Sequence, residues 1–213
     1  MPLDQALDKA RAMPEGPIVL ADMADNAGGG APSDSTFILR AMLERGMGDA
    51  VLGCIWDPGA VVLAFEAGEG ARLKLRVGGK LGPISGDPLD LDVMVARLAR
   101  QAMQDYLGAR NDMDDCAAVR TQGVNAGIDI VLNSKRTQTF TPSAFMAVGL
   151  DPAASRYVVV KSMNHFRAGF EPIAKAILYV AAPGAIDFDY RRIPYRNLRR
   201  PIYPLDANAW ADG

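Results

Sequence analysis

The 213-residue chain contains a single histidine, His165, and two cysteines, Cys54 and Cys116. A lone histidine excludes a multi-histidine metal site within the chain. A zinc site built here would have to draw on carboxylates or cysteines, and no cysteine cluster exists. The two cysteines make neither a metal-ligand spacing nor a disulfide framework, so both read as small buried hydrophobes in a reducing cytoplasm. Uninterrupted apolar runs reach about seven residues, against the ~20 that a membrane-spanning helix requires. The first residues form an acid-containing amphipathic segment without a signal-peptide pattern. A net charge of −2 argues against a nucleic-acid-binding surface. Neither the phosphate loop GxxxxGK[ST] nor the dinucleotide loop GxGxxG occurs. There are no repeats and no low-complexity linker.

What is present alternates strand and helix signals. Residues 2–12 read as a short helix with Pro2 near its first turn, and 17–22 as a strand. Ser33 or Ser35 is the expected cap of a helix running to about Arg45, with Ile38, Leu39, Met42 and Leu43 on one face. Val51–Trp56 reads as a buried strand. Asp57 caps a helix from Pro58 that turns Val61, Val62 and Phe65 inward. Leu73, Leu75 and Val77 then alternate with Lys74 and Arg76, as in a half-exposed antiparallel strand. Residues 89–106 divide between helix propensity and an alternation of Leu91, Val93 and Val95 with Asp92 and Met94, which favours a strand at the start. Val119 and Ile128–Leu132 read as short antiparallel strands, and Pro142–Val148 as a short helix. Tyr157–Lys161 reads as a buried strand. Asn164 is expected to cap a helix with Phe166, Phe170, Ile173 and Ala174 on one face. Ile177–Val180 reads as a last strand. The proline- and arginine-rich tail is expected to lie extended on the surface. The pattern predicts an α/β fold, a mixed sheet with flanking helices and antiparallel additions.

Two stretches concentrate chemistry. ADMADNAGGGAPSDST, Ala21–Thr36, follows a strand and offers Asp22, Asp25, Asn26 and a triple glycine, Gly28–Gly30, ahead of a helix. Such a loop brings backbone N–H groups close to a ligand, or simply allows close packing. KSMNHFRAGF, Lys161–Phe170, gathers Lys161, His165 and Arg167 within seven residues. That cluster suits a carboxylate, a phosphate or a developing oxyanion, with His165 able to act as acid or base. Equally, Arg167 would pair with a structural acid and His165 would satisfy a carbonyl. Lys80 ends a GGK turn, where it would either reach a ligand or remain solvated. The arginines of RRPIYPLD, Arg199–Asp206, form either a surface clamp or a further set of donors.

These four motifs occur in one order: ADMADNAGGGAPSDST, the GGK at 78–80, KSMNHFRAGF and RRPIYPLD. Together they resemble the C-terminal domain of the microcystinase C (MlrC) family of zinc metallopeptidases. The resemblance runs roughly from Gly16 to Asp206, with Ala27 standing where many members carry proline. It implies a division into a joining segment at 1–15, the MlrC-like domain at 16–206 and a tail at 207–213. It further implies a two-domain zinc hydrolase, associated with microcystin degradation, in which metal-bound water attacks an amide. The zinc ligands would belong to an N-terminal domain preceding Met1, so zinc is expected in the full-length protein and none on this chain alone. The expected partners are that missing metal-binding domain, a peptide or amide substrate and a possible second copy of the chain, without nucleic acid or membrane. On this reading the chain is a fragment, inactive by itself, that completes the substrate cleft. Arg167 is expected to polarise the substrate carbonyl, with His165 next to it as a catalytic group. Lys161, Asn26, Gly28, Gly29, Gly30 and Lys80 are the expected substrate-binding residues, with no metal ligand among them. The alternative is a stand-alone domain that binds an anion or another small molecule without catalysis. A third reading is an independent enzyme using Lys161 and His165.

Overall fold

A computed structural model describes residues 1–125 and 127–209 of the chain. In order the elements are α1 (Leu3–Ala12), β1 (Ile18–Asp22), α2 (Phe37–Glu44), β2 (Ala50–Trp56), α3 (Pro58–Ala67), β3 (Arg72–Val77), β4 (Leu89–Tyr106), β5 (Ala109–Thr121), β6 (Ile128–Asn133), α4 (Ser143–Met146), β7 (Tyr157–Val160), α5 (Arg167–Phe170) and β8 (Ala176–Val180). Among the described residues the strands form one sheet in the order β3-β4-β5-β6-β2-β7-β1-β8. Its five strands from β6 to β8 are parallel. The strands from β3 to β6 pair antiparallel. The mixed α/β sheet expected from the sequence is therefore the observed fold.

Successive side chains of a strand point to opposite faces, and the core divides accordingly. Ile18, Leu20, Leu52, Ile130 and Val159 face a layer built with α1, α2 and α3. Val19, Ala21, Val51, Val131, Val158 and Val160 face the other layer, where Phe145, Val148, Phe166 and Phe170 close the core. Burial on both sides explains why the central strands read as unbroken apolar runs. The segment expected as a joining piece is part of this core: Ala6, Leu7 and Ala10 are fully buried. The Met1 ammonium donates to Tyr179 O at 2.7 Å.

Several expectations need correction. Residues 89–106 form one long strand, because the alternation finds a partner. Leu75 lies opposite Leu91, and Arg76 opposite Asp90, whose carboxylate accepts Nε and Nη2 of Arg76 at 2.7 and 2.6 Å. Cross-strand packing and charge pairing thus override helix propensity. The strand at Val119 is the end of the much longer β5. The strand at Ile128–Leu132 is antiparallel to β5 but parallel to β2. Neither Ser33 nor Ser35 caps α2; Thr36 occupies that position without a side-chain cap. Asp57 does cap α3, accepting from Ala60 N at 3.1 Å, but Val62 points out and is 55% exposed. The helix expected after Asn164 shortens to α5, with Phe166 at its N-cap. The tail turns rather than extends. It has a 3-10 turn at Tyr190–Arg192, and Arg191, Arg192 and Arg200 pair locally with Asp189, Asp187 and Asp206. Of the expected tail segment 207–213, residues 210–213 lie outside the described residues.

Candidate functional site at the carboxyl ends of the parallel strands

In open α/β sheets ligands bind beyond the carboxyl ends of parallel strands. Here β1, β2, β6 and β7 deliver to that edge the loops that begin at Met23, Asp57, Ser134 and Lys161. The register explains the first contact. Ala21 pairs with Val160, so the next residues along, Asp22 and Lys161, come together. Lys161 Nζ lies 3.1 Å from Asp22 Oδ2 and 2.7 Å from Asp25 Oδ2, and donates to Ser35 O at 2.9 Å. Asp25 also accepts from Ser33 N and Ser35 N, both at 2.7 Å. All three charged side chains are almost wholly buried. Burial pushes the Asp22 carboxyl above its usual range, against the lowering pull of Lys161. Burial also disfavours the Lys161 ammonium, yet the Asp25 and Asp22 carboxylates outweigh it and hold its pKa above the usual lysine value.

This geometry tests the chain as a metal holder. The lysine ammonium stands between the two acids, where a cation would have to sit. Among the described residues no group of three or more His, Cys, Asp or Glu side chains converges in a way that could hold a metal ion. These residues do not fit a zinc site.

A second ionic group braces the same loop from outside. Asp57, 1% exposed at its side chain, takes the Lys80 ammonium at 2.6 Å on both carboxylate oxygens. It also accepts from Gly78 N at 2.9 Å. Asp34 Oδ2 accepts from the backbone N–H groups of Lys80 and Leu81 at 2.8 and 3.1 Å. Gly78 and Gly79 both have positive φ, and a Cβ on either would meet backbone, at 2.6 and 2.5 Å respectively. The GGK turn is thus shaped to dock on Asp34 and Asp57. Lys161 and Lys80, both expected to meet substrate, have their charges committed to carboxylates within the fold.

The triple glycine lies at the surface, but its N–H groups face its own loop. Gly28 N donates to Asn26 Oδ1 at 3.0 Å, Gly29 N to Asn26 O at 2.9 Å and Gly30 N to Ala27 O at 3.1 Å. Asn26 is buried and serves as the cap of this 3-10 turn. Arg136 Nη1 clamps the turn from the other side, donating to Ala27 O and Ala31 O at 2.9 and 2.8 Å. The three glycine N–H groups are therefore all spent within the loop. A Cβ at Gly28 would collide with Gln138 Nε2, and one at Gly29 would meet Ile186 Cδ1 at 2.5 Å. On the Ile186 side a cavity of about 490 Å³ opens between Ala181, Gly184, Phe188 and Arg192.

His165 lies on the Gln138 side, exposed, with Nδ1 at 3.0 Å from Gln138 Nε2. Ser162 Oγ donates to the other end of that amide, Oε1, at 3.2 Å. The imidazole is tilted against Tyr106, with centroids 5.5 Å apart, and Tyr106 stacks on Phe140 at 4.4 Å. Tyr106 reaches this position as the last residue of β4, at the tip of the long β4–β5 hairpin. Arg167 is exposed and ion-paired with Glu171 at 3.1 Å, one helical turn along.

The structure thus gathers Gly28, Gly29, Gly30 and His165 on one surface, with Asn26 buried beneath the turn that it caps. It buries Lys161 beneath that surface and holds Lys80 on Asp57. Arg136, Gln138, Tyr106 and Phe140 adjoin this surface but carry no motif in the sequence, and Ser162 lies in KSMNHFRAGF but is not among its expected site residues. The signal that leads to Arg136 and Gln138 is the parallel pairing of β6 with β2, which puts residues 134–140 at the same edge. A cavity of about 530 Å³ by Asp49, Arg120 and Asp151 opens at the opposite edge of the sheet, where the strands begin.

Microcystinase C of Sphingomonas sp is 38% identical over 200 residues, covering 94% of this chain but 38% of the relative. A crystal structure of a proposed metallopeptidase from Mesorhizobium sp. BNC1 superposes with a TM-score of 0.82 at 31% identity, covering 97% of this chain and 41% of that one. The chain thus spans about two fifths of the length of each relative. The family model described as MlrC C-terminus matches residues 20–197. This protein belongs to the MlrC C-terminal domain family.

Proposed function

We propose that this chain acts as the C-terminal domain of an MlrC-like zinc metallohydrolase that cleaves a peptide or other amide. In this reading it supplies one wall of the substrate cleft, and zinc is held by the remainder of the longer protein. One observation carries the proposal. The acids at the carboxyl edge are paired internally with Lys161, while the surface above them is left open: the glycine turn, His165 and the aromatic pair Tyr106–Phe140. Such a surface binds and orients a substrate group without supplying the metal. His165 is within reach of a bound group as a hydrogen-bonding partner, and Arg167 lies two residues further along the chain. The arrangement disfavours an anion held by the glycine N–H groups, because those donors are spent within the loop.

The test is complementation. The metal-binding portion of a full-length relative is expressed with and without this chain, loaded with zinc and assayed on a linear peptide amide. Hydrolysis is expected only from the combination, with zinc bound at one equivalent by the complement and at none by this chain. His165→Gln is expected to lower kcat of the combination. Stoichiometric, tight zinc binding by this chain alone would overturn the division of roles.

A further inference from the structure

The Ser162–Gln138–His165 chain of hydrogen bonds has a direction. Ser162 and Gln138 are buried, at 0% and 5% exposure, whereas His165 is exposed. A carboxamide has one accepting end and one donating end. The Ser162 hydroxyl fills the accepting end, Oε1, at 3.2 Å. In this amide orientation the end that faces His165 Nδ1 at 3.0 Å is the NH2 group, and Nδ1 accepts. Which ring nitrogen carries the proton of a neutral imidazole is set by the bond the other makes. With Nδ1 accepting, the proton sits on Nε2, for which no partner stands among the described residues. Tyr106 lies against one side of the ring, and Phe140 backs Tyr106. Gln138 is itself held: its backbone oxygen accepts from Gln104 Nε2 at 2.9 Å, and Gly28 leaves room for its amide.

We infer that Gln138 is a positioning residue that fixes His165 as the Nε2–H tautomer, so that the histidine meets substrate as a hydrogen-bond donor. The group it recognises is then an oxygen acceptor, the carbonyl of an amide or a carboxylate. It is not a proton that His165 removes through its outward nitrogen. The recognition half of this inference rests on the reading of the exposed surface as a cleft wall. The tautomer half stands on the hydrogen bonds alone.

Because His165 is the chain's one histidine, a ¹⁵N-labelled sample gives a single imidazole spin system. Long-range ¹H–¹⁵N correlation spectra of the 213-residue chain, taken at mildly alkaline pH, read the tautomer directly. The expected pattern is a protonated, pyrrole-type Nε2 and an unprotonated, pyridine-type Nδ1. Gln138→Glu replaces the donor with a carboxylate that only accepts, and is expected to move the ring proton to Nδ1. A wild-type ring protonated on Nδ1 would overturn the inference, since it requires the opposite amide orientation. So would an unchanged Nε2–H ring in a Gln138→Glu sample whose other resonances stay dispersed as in wild type. The wild-type spectrum decides even if the variant does not fold. Failure of complementation does not move these nitrogen shifts, so the two proposals fail separately.

Discussion

Lys161 Nζ meets Asp25 Oδ2 at 2.7 Å, with both side chains almost wholly removed from solvent. The contact joins the end of β7 to the loop after β1, and Asp25 passes it on to Ser33 N and Ser35 N. Breaking a buried pair by removing one partner leaves an uncompensated charge and costs about 3–5 kcal/mol. Lys161→Met and Asp25→Asn are each expected to destabilise by about that amount in denaturant titrations. Asp22→Asn is expected to cost less, because Asp22 Oδ1 has no hydrogen-bond partner and burial already disfavours its charge.

The same cluster sets the pH dependence. The native pKa of Lys161 is raised, so its contribution is fully present below the unfolded lysine value, about 10.4. That contribution is lost as pH climbs through the higher native value. The native pKa of Asp22 is also raised, so its contribution declines as pH rises from the ordinary aspartate range to the native value. Melting temperatures measured across pH should therefore show an alkaline decline beginning above roughly pH 10. Lys161→Met should remove the Lys161 part of it, and an identical alkaline limb in that variant would contradict the assignment.

Glycine substitutions separate turn geometry from contact with the histidine. Gly30 has φ +95° and open space around its missing Cβ. Gly30→Ala is expected to cost about 1–2 kcal/mol through left-handed strain alone, leaving the His165 imidazole signals in place. Gly28→Ala drives a methyl into Gln138 Nε2 and is expected to displace that amide and shift the same signals. Equal spectra for the two variants would contradict this packing.

Both thiols should be silent in the native protein. Burial pushes the Cys54 thiol up to about 12, and burial raises Cys116 further. Thiolate is the reactive form, so Ellman's reagent at mildly alkaline pH should label neither cysteine until denaturant is added, and then both. Prompt labelling of the native chain would show that the Cys54 or Cys116 environment opens.

Arg167 offers a test of role against architecture. It and Glu171 are both more than half exposed at the side chain. Arg167→Gln should leave the melting temperature unchanged. In the complemented enzyme a group that polarises the substrate carbonyl should, when removed, lower kcat by roughly a hundredfold. An unchanged kcat would confine Arg167 to its pair with Glu171.

The sequence made the parallel half of the fold legible, because Ile18–Asp22, Ala50–Trp56 and Tyr157–Val160 are short apolar runs bounded by turn residues. It also put the glycine turn after one of these strands and His165 after another; the parallel pairing in the structure brings both to one edge. The β4–β5 hairpin was harder to read, since Ala99, Gln101 and Met103 favour helix locally and only the pairing with β3 and β5 decides. The roles of the two lysines were hidden for a related reason. Lys161 and Lys80 look available in sequence, and only the register with Asp22 and the fold-back onto Asp57 show their charges taken. Gln138 lies in a stretch without motif or period, so nothing local marks it; its meaning comes from neighbours 24 and 27 residues away.

The hairpin that brings Tyr106 beside His165 belongs to a wider pattern of distance along the chain. Lys161 reaches back 136 residues to Asp25, and Arg136 reaches back 109 to Ala27. Each contact closes a long loop, and closing such loops must come before the contacts that reward it. The edge that carries the glycine turn and the histidine is therefore complete only with β7 in place between β1 and β2. A chain ending before Val160 contains the residues of the glycine turn but not the lysine that pairs with its acids. The carboxyl edge thus depends on segments from both ends of the chain, and loss of the later strands would leave the acids of the glycine turn without their lysine.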